Sequence, residues 1–347
     1  MTTGYVYDPI YLEHDMPGHP ESKERLLWIL NHLHQSGLLP ALTPVPAKSV
    51  SLDLLRHVHA ESYCQQVERL AARGGGFLDP DTYVGPRSYE VALMAAGGLV
   101  EAVAAVLDGK LRNAFALVRP PGHHALHSRG MGFCLFNNVA VAARYALNER
   151  GLKRILIVDF DVHHGNGTQE AFYETSEVLY FSTHQYPHYP GTGHWRETGA
   201  GPGEGYTANV PLPPGVGDAG FQMVFEELLR PLAARYRPEL LLVSAGYDAH
   251  WDDPLASLHL SLAGYARLCR ILYTIANEWC AGRLVFTLEG GYHLSVLAHG
   301  VANTFRVLLG RGDEITDPFG PSPHAERPIA DLVMRLKEAW HLTAANA

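Results

Sequence analysis

The sequence predicts an α/β fold: one domain with a mostly parallel central sheet flanked by helices on both faces. Three observations carry this. Short apolar, β-branched runs recur and alternate with longer segments of helical period. No repeat, low-complexity tract or long polar linker interrupts them, and 347 residues can form one large α/β domain. Four of the apolar runs end in polar clusters, as expected where ligands bind beyond the carboxyl ends of parallel strands.

The predicted strands are "NAFALVRP" (113–120), "RILIVDFDV" (154–162), "EVLYFSTH" (177–184), "PELLLVSAGYD" (238–248) and "GRLVFTLEGG" (282–291). Their near-continuous apolar character fits strands buried on both faces. Helical patterns cover 88–109, 135–151, 219–238 and 261–279, and a last helix over 327–342 is expected to pack on the outside. The stretch 184–217 holds eight glycines and six prolines and reads as a structured loop, which at that length is usually functional.

Composition narrows the function classes. Charged residues are 18% of the chain and net charge is −9, so no basic nucleic-acid footprint is expected. No apolar run is read as long enough to span a membrane, and "MTTGYVYDPIYLEHD" lacks the apolar core of a signal peptide. Cys64, Cys134, Cys269 and Cys280 are scattered without CxxC spacing, which points to reduced thiols and a cytoplasmic protein. Histidine stands out at 20 residues, though most, such as His57 and His59, read as ordinary helix or loop residues. The oligomeric state is left open, a homo-oligomer included.

The stretch "DFDVHHGNG" (159–167) drives a buried strand into carboxylates and imidazoles, which are costly to bury unless paired or metal-bound. Asp161 and His163 are two apart and share a face in an extended segment, while His164 points the other way as a structural hydrogen-bonder. Asp248, after "LLLVSAGY", is the best third ligand. Two carboxylates and an imidazole leave a metal an open position, as catalytic zinc sites do; ferrous iron or cobalt would also be tolerated. His123 and His124 follow the turn "RPPG" and could reach one pocket, with Asp159 placed to hold one of them in a fixed tautomer. Tyr292, after "EGG", could aim a phenol at a reacting oxygen, and "GFC" (132–134) could supply an aromatic wall. Together these groups suit amide hydrolysis by metal-activated water.

"RPPGHHALHSRGMGFCLFNN" (119–138), "DFDVHHGNGTQEAFY" (159–173), "SAGYDAHWDDPLASL" (244–258) and "TLEGGYHL" (287–294) resemble the histone deacetylase family, in its second-class or bacterial histone deacetylase-like amidohydrolase form. The resemblance runs from about Gly4 to about Leu309 and implies the arginase–deacetylase fold, with 1–347 as a single deacetylase domain. It implies zinc on Asp161, His163 and Asp248, and a cationic His123 paired with Asp159. His124 would be general base and then general acid, and Tyr292 a donor to the carbonyl and oxyanion. Gly132 and Phe133 would line a tunnel for the acyl-lysine stem, with Asp81 and Gly291 also in the substrate-binding set. Structural potassium is implied near Asp159, Asp161, His163, Ser182 and Thr183, and a second ion near Phe172, Thr175, Val178 and Tyr206. Arg25 would line an internal product channel. Asn166 stands where first-class members carry aspartate. A neutral amide orients His124 without stabilising its protonated form by charge, so His124 should titrate lower than beside a carboxylate.

The implied substrate is an acyl-lysine protein or peptide. One rival is an acetylated polyamine, hydrolysed by the same chemistry. Another is a two-manganese ureohydrolase, matched by "DAHWD" (248–252), but Val162 and Asn166 stand where a second metal would need aspartates. A non-enzymatic acyl-lysine binding module would leave the complete residue set without work. The loop 184–217 and the segment 11–21 are expected to shape the rim, with His14, Asp15 and His194 as rim candidates.

Overall fold

A computed structural model describes residues 2–342. In chain order the elements are β1 (Thr2–Val6), α1 (Glu24–Gln35), β2 (Thr43–Val45), α2 (Leu52–Leu55), α3 (Glu61–Ala72), β3 (Gly76–Phe77), β4 (Tyr83–Val84), α4 (Ser88–Leu107), β5 (Leu111–Ala116) and α5 (Asn138–Asn148). There follow β6 (Ile155–Asp159), α6 (Asn166–Phe172), β7 (Val178–Gln185), β8 (Thr207–Leu212), α7 (Asp218–Val224), α8 (Arg230–Tyr236), β9 (Leu240–Ala245), α9 (Leu262–Trp279), β10 (Leu284–Leu288), α10 (Leu294–Leu308) and α11 (Ala330–Ala339). Among the described residues eight strands form one sheet, in the order β2-β1-β5-β10-β9-β6-β7-β8, and every neighbouring pair is parallel. The small β3–β4 pair is antiparallel and separate.

Every residue of β6, β7, β9 and β10 is buried, which is why these strands read as unbroken apolar runs. α5 and α9 start on side-chain caps: Asn137 accepts from Ala140 N–H ahead of α5, and Ser261 accepts from Gly264 N–H ahead of α9.

Several elements depart from expectation. β6 ends at Asp159, three residues before the apolar pattern does, because Phe160 and Val162 are buried in a bend beyond the strand. The stretch 184–217 is not all loop: β7 extends to Gln185 and β8 forms the sheet edge, where Pro211 is tolerated near the strand end. The single helix expected over 219–238 is α7 and α8 joined by a π-helical turn, Phe225–Leu229. Pro231 has no N–H to direct at Glu227, so regular i→i−4 bonding is interrupted there. β1 and β2 are too short to show a period and escape sequence reading.

α4 corrects a further expectation. Its 20 residues are long and apolar enough to cross a membrane. More than half of that apolar window is buried inside the fold, with α4 lying on β5 and against α5, so its composition is that of a central core helix. α11 buries Val333 and Leu336 against α7 and the π turn, which places the last helix on the outside as predicted.

Candidate active site

The four strands that carry the polar clusters, β5, β10, β9 and β6, are consecutive neighbours in the sheet. Their carboxyl ends therefore bring "RPPGHH", "LEGGYH", "SAGYDAH" and "DFDVHHGNG" to one edge.

Asp161, His163 and Asp248 form a group whose ligand atoms all lie within 4.8 Å of one another. The His163 imidazole Nδ1 is 3.1 Å from Asp161 Oδ1 and 3.4 Å from Asp248 Oδ2. The pair 161/163 does not converge through an extended strand, as expected, but through the bend after β6. There His163 N–H donates to Asp161 Oδ1 at 2.8 Å and folds the chain back. Both carboxylates are held from behind: Gly290 N–H donates to Asp161 Oδ2 at 2.8 Å, and Val162 N–H donates to Asp248 Oδ1 at 2.9 Å. A side chain at Gly290 would collide with the Asp248 and Asp161 carboxylates.

The group fits a divalent metal on two grounds. Asp248 Oδ2 is buried without a hydrogen-bond partner and faces the other two ligands, a costly arrangement for an anionic oxygen unless a cation meets it. Burial, and then the neighbouring Asp161 charge, push the Asp248 carboxyl above its usual range, a cost that a cation between them offsets. His164 turns away, with Nδ1 2.8 Å from Thr192 Oγ1 and Nε2 3.0 Å from Gln169 Oε1.

Both histidines of the "GHH" turn reach the site, and a buried glutamate sets the turn. Glu289 Oε2 accepts from Gly122 N–H at 2.7 Å and His123 N–H at 3.2 Å. His123 Nδ1 lies 3.0 Å from Asp159 Oδ2. Burial would lower the His123 pKa, but the Asp159 and Asp161 charges outweigh it and raise it to about 10, which favours the cationic form. His124 Nδ1 lies 2.7 Å from Asn166 Oδ1. The Asn166 amide nitrogen donates to Met131 Sδ at 3.4 Å, which orients its oxygen toward His124. Neutral His124 thus carries its proton on Nδ1 and leaves the Nε2 lone pair free, on a ring that lines the cavity. Burial, followed by the charges of His123 and His163, holds His124 well below the usual imidazole range.

The cavity over this constellation has a volume of about 270 Å³. Its lining includes Phe133, Tyr189, His123, His124, His163 and Tyr292. Gly132 and Phe133 both have positive φ, 55° and 69°. A side chain at Gly132 would strike the His124 ring, so glycine is what lets this turn cross the general-base candidate. The Phe133 ring meets Tyr292 edge-on at 5.8 Å, Tyr189 meets His124 edge-on at 5.2 Å, and His188 stacks on His163 at 5.2 Å. Asp81 lines the cavity as well. Gly291 lies behind it, its carbonyl accepting from Arg25 Nε at 2.8 Å, and Gly290 takes the lining position.

The rim candidates do not line the cavity. His14 is fully buried, 2.6 Å from Ser88 Oγ through Nδ1 and stacked on Tyr83, whereas His19 of the same 11–21 segment meets the lining residue Phe133 edge-on at 4.7 Å. Asp15 pairs with Lys23 at 3.0 Å, and His194 packs on Trp195. Of the residues implied for potassium, Asp159 and Ser182 are register partners in β6 and β7, with Thr183 next in β7. Phe172, Thr175 and Val178 run from the end of α6 to the start of β7, and Tyr206, just ahead of β8, accepts from Tyr180 N–H of β7 through its carbonyl. Sequence reading passed over His188, Tyr189, Leu255 and Gly290 in the lining, and Glu289 and Asp253 behind it. The aromatic pair sat inside the glycine- and proline-rich stretch already marked as functional.

A family model described as "Histone deacetylase domain" matches residues 19–308. A probable deacetylase of Archaeoglobus fulgidus is 45% identical over 296 residues, covering 84% of this chain and 82% of its own. "Histone deacetylase 10, chloroplastic" of Oryza sativa subsp. japonica is 42% identical over 346 residues, covering 95% of this chain and 78% of its own. Among solved structures, the HDA15 HD domain superimposes with a TM-score of 0.88 at 35% identity, covering 98% of this chain and 94% of that one. With the fold, the strand-end motifs and these similarities in agreement, the chain belongs to the histone deacetylase family and is a deacetylase acting on amide bonds.

Proposed function

We propose that the protein is a zinc-dependent lysine deacylase, removing acetyl or another acyl group from lysine side chains of proteins or peptides. The observation that carries the reading is one cavity lined by aromatic rings, by His163 of the Asp161–His163–Asp248 group, by two differently tuned histidines and by a tyrosine. A zinc ion held there, with Fe2+ or Co2+ as other fits, would supply Lewis acidity toward the acyl carbonyl and an attacking water. His124, neutral with a free Nε2, takes the proton from the attacking water and returns one to the departing amine. His123, held cationic by Asp159 and Asp161, adds positive charge where negative charge develops. Tyr292 supplies a phenol donor to the oxyanion. Phe133 and Tyr189 enclose an apolar stem and exclude water, with Asp81 and Gly132 beside them.

The same reading places structural potassium against Asp159, Asp161, His163, Ser182 and Thr183, and a second ion by Phe172, Thr175, Val178 and Tyr206. Four unbridged, buried cysteines support a cytoplasmic enzyme. An acetylated polyamine is the alternative substrate, favoured by Asp81 at the cavity with Asp79 beside it, which offer negative charge to a second amine.

The test is a kinetic panel of acetyl-, longer acyl- and trifluoroacetyl-lysine peptides beside acetylated polyamines, run before and after exhaustive chelation and with Zn2+, Co2+, Fe2+ or Mn2+ added back. Loss on chelation and recovery with zinc on a lysine peptide is expected. Full activity in the metal-free protein overturns the metal assignment, and turnover confined to polyamines overturns the substrate assignment.

A further inference from the structure

Asp253 lies outside the constellation above, in the "WDDPLASL" segment, yet it is almost completely buried at 5% exposure. Its two oxygens face two different walls of the cavity. Oδ2 accepts from Tyr292 N–H at 2.7 Å and His293 N–H at 3.2 Å, and Oδ1 accepts from Leu255 N–H at 3.0 Å. Tyr292 and Leu255 both line the cavity. Leu255 extends the link, since its carbonyl is 3.2 Å from His188 Nε2 and His188 stacks on the ligand His163.

The need for such a clamp follows from the chain before Tyr292. Gly290 and Gly291 precede it, and Gly291 sits at φ 113°. Two glycines have many accessible conformations; bonds to Asp161, Tyr247 and Arg25 hold them, but these stop short of the Tyr292 backbone itself. The Tyr292 ring itself has a cation–π contact, with the Arg25 guanidinium 5.2 Å from its centroid. That contact and the edge-on Phe133 ring act on the ring and not on the backbone that carries it. A buried carboxyl group accepting from two consecutive N–H groups just ahead of α10 pins the backbone.

We infer that Asp253 is a positioning residue for Tyr292, holding the tyrosine backbone, and the Leu255–His188 wall with it, so that the phenol meets the developing oxyanion. The inference rests on the proposed role of Tyr292 as that donor. An error of about 1 Å in the placement of such a group costs on the order of 10²-fold in rate. Asp253→Ala should therefore lower kcat on an acetyl-lysine peptide by roughly 10- to 10²-fold, with KM changing less than about threefold. Asp253→Asn keeps the shape and one acceptor, and should recover part of that loss.

The experiment is a double-mutant cycle with Tyr292→Phe, with zinc content and thermal unfolding measured for every variant. In the Tyr292→Phe background there is no donor left to place, so the Asp253 substitution should cost less than about threefold in kcat, whereas independent roles would multiply. If Asp253→Ala does not fold, the Asp253→Asn cycle carries the same test. A cost that is equal in both backgrounds, or a loss of zinc in step with activity, overturns the inference. If Tyr292→Phe alone leaves kcat unchanged, the failure belongs to the donor role of Tyr292.

Discussion

Asn166→Asp places a carboxylate against the general-base candidate with almost no change in shape. The Asn166 oxygen is 2.7 Å from His124 Nδ1, and both side chains are buried, at 8% and 3% exposure. A unit charge pair about 4 Å apart at an effective dielectric constant near 20 interacts by about 4 kcal/mol. At about 1.4 kcal/mol per pKa unit that is an upper limit of about three units. The amide oxygen already accepts the Nδ1 proton and a buried carboxylate carries its own desolvation cost, so a rise of about 1–3 units is expected for His124. The sign is fixed by the role. A general base acts when neutral, and a raised pKa keeps it protonated to higher pH. The acidic limb of the kcat/KM profile therefore moves up by that amount, and activity lost at low pH returns on the alkaline side. The assay is a profile of kcat/KM between about pH 5 and pH 10, with zinc content and unfolding temperature as controls. An acidic limb that stays within about 0.3 units of the parent, in a folded and metal-loaded variant, refutes the assignment of that limb to His124.

Other outcomes follow from the same geometry. His124→Ala should lower kcat by more than about 10²-fold with metal content intact, read by single-turnover kinetics. Tyr292→Phe should lower kcat by roughly 10²–10³-fold on acetyl-lysine and by less on the more electrophilic trifluoroacetyl-lysine; equal losses on both would argue against an oxyanion donor. Glu21 joins Arg119 and Arg25 in a fully buried cluster, and Glu21→Gln should cost about 3–5 kcal/mol by urea denaturation, since it leaves two guanidiniums unpaired. Burial opposes ionisation of Glu21, but Arg119 and then Arg25 hold its pKa down at about 2. That stability is fully present above its ordinary value of 4.5 and is lost as pH falls through about 2, so the parent and Glu21→Gln should converge in stability toward acid.

The strand-end chemistry was legible in sequence because each cluster is local. "RPPGHH", "DFDVHHGNG", "SAGYDAH" and "LEGGYH" each follow an apolar run that forms a strand regardless of what surrounds it, and the side chains themselves are the reagents. The same locality made α4 and α9 readable from their period, and placed the last helix outside. What a run of residues does not encode is its neighbour. Strand order set β5, β10, β9 and β6 side by side, and only that order turns four motifs into one cavity. The bend after Asp159, rather than an extended strand, joins Asp161 to His163, because an N–H bond to the carboxylate competes with the sheet ladder. His14 reads as a polar rim residue and is buried, since its ring finds Ser88 and Tyr83 on distant elements. Glu289 on the Gly122–His123 turn and Asp253 on the Tyr292 backbone are single carboxylates with no period and no motif of their own. Their partners lie 39 to 167 residues away, and a hydrogen bond across that distance leaves no periodic trace in either segment. The sequence determined the chemistry each strand end carries. Only the tertiary structure decided which of those groups meet and what holds them in register, because meeting depends on packing between elements rather than on the conformation of any one of them.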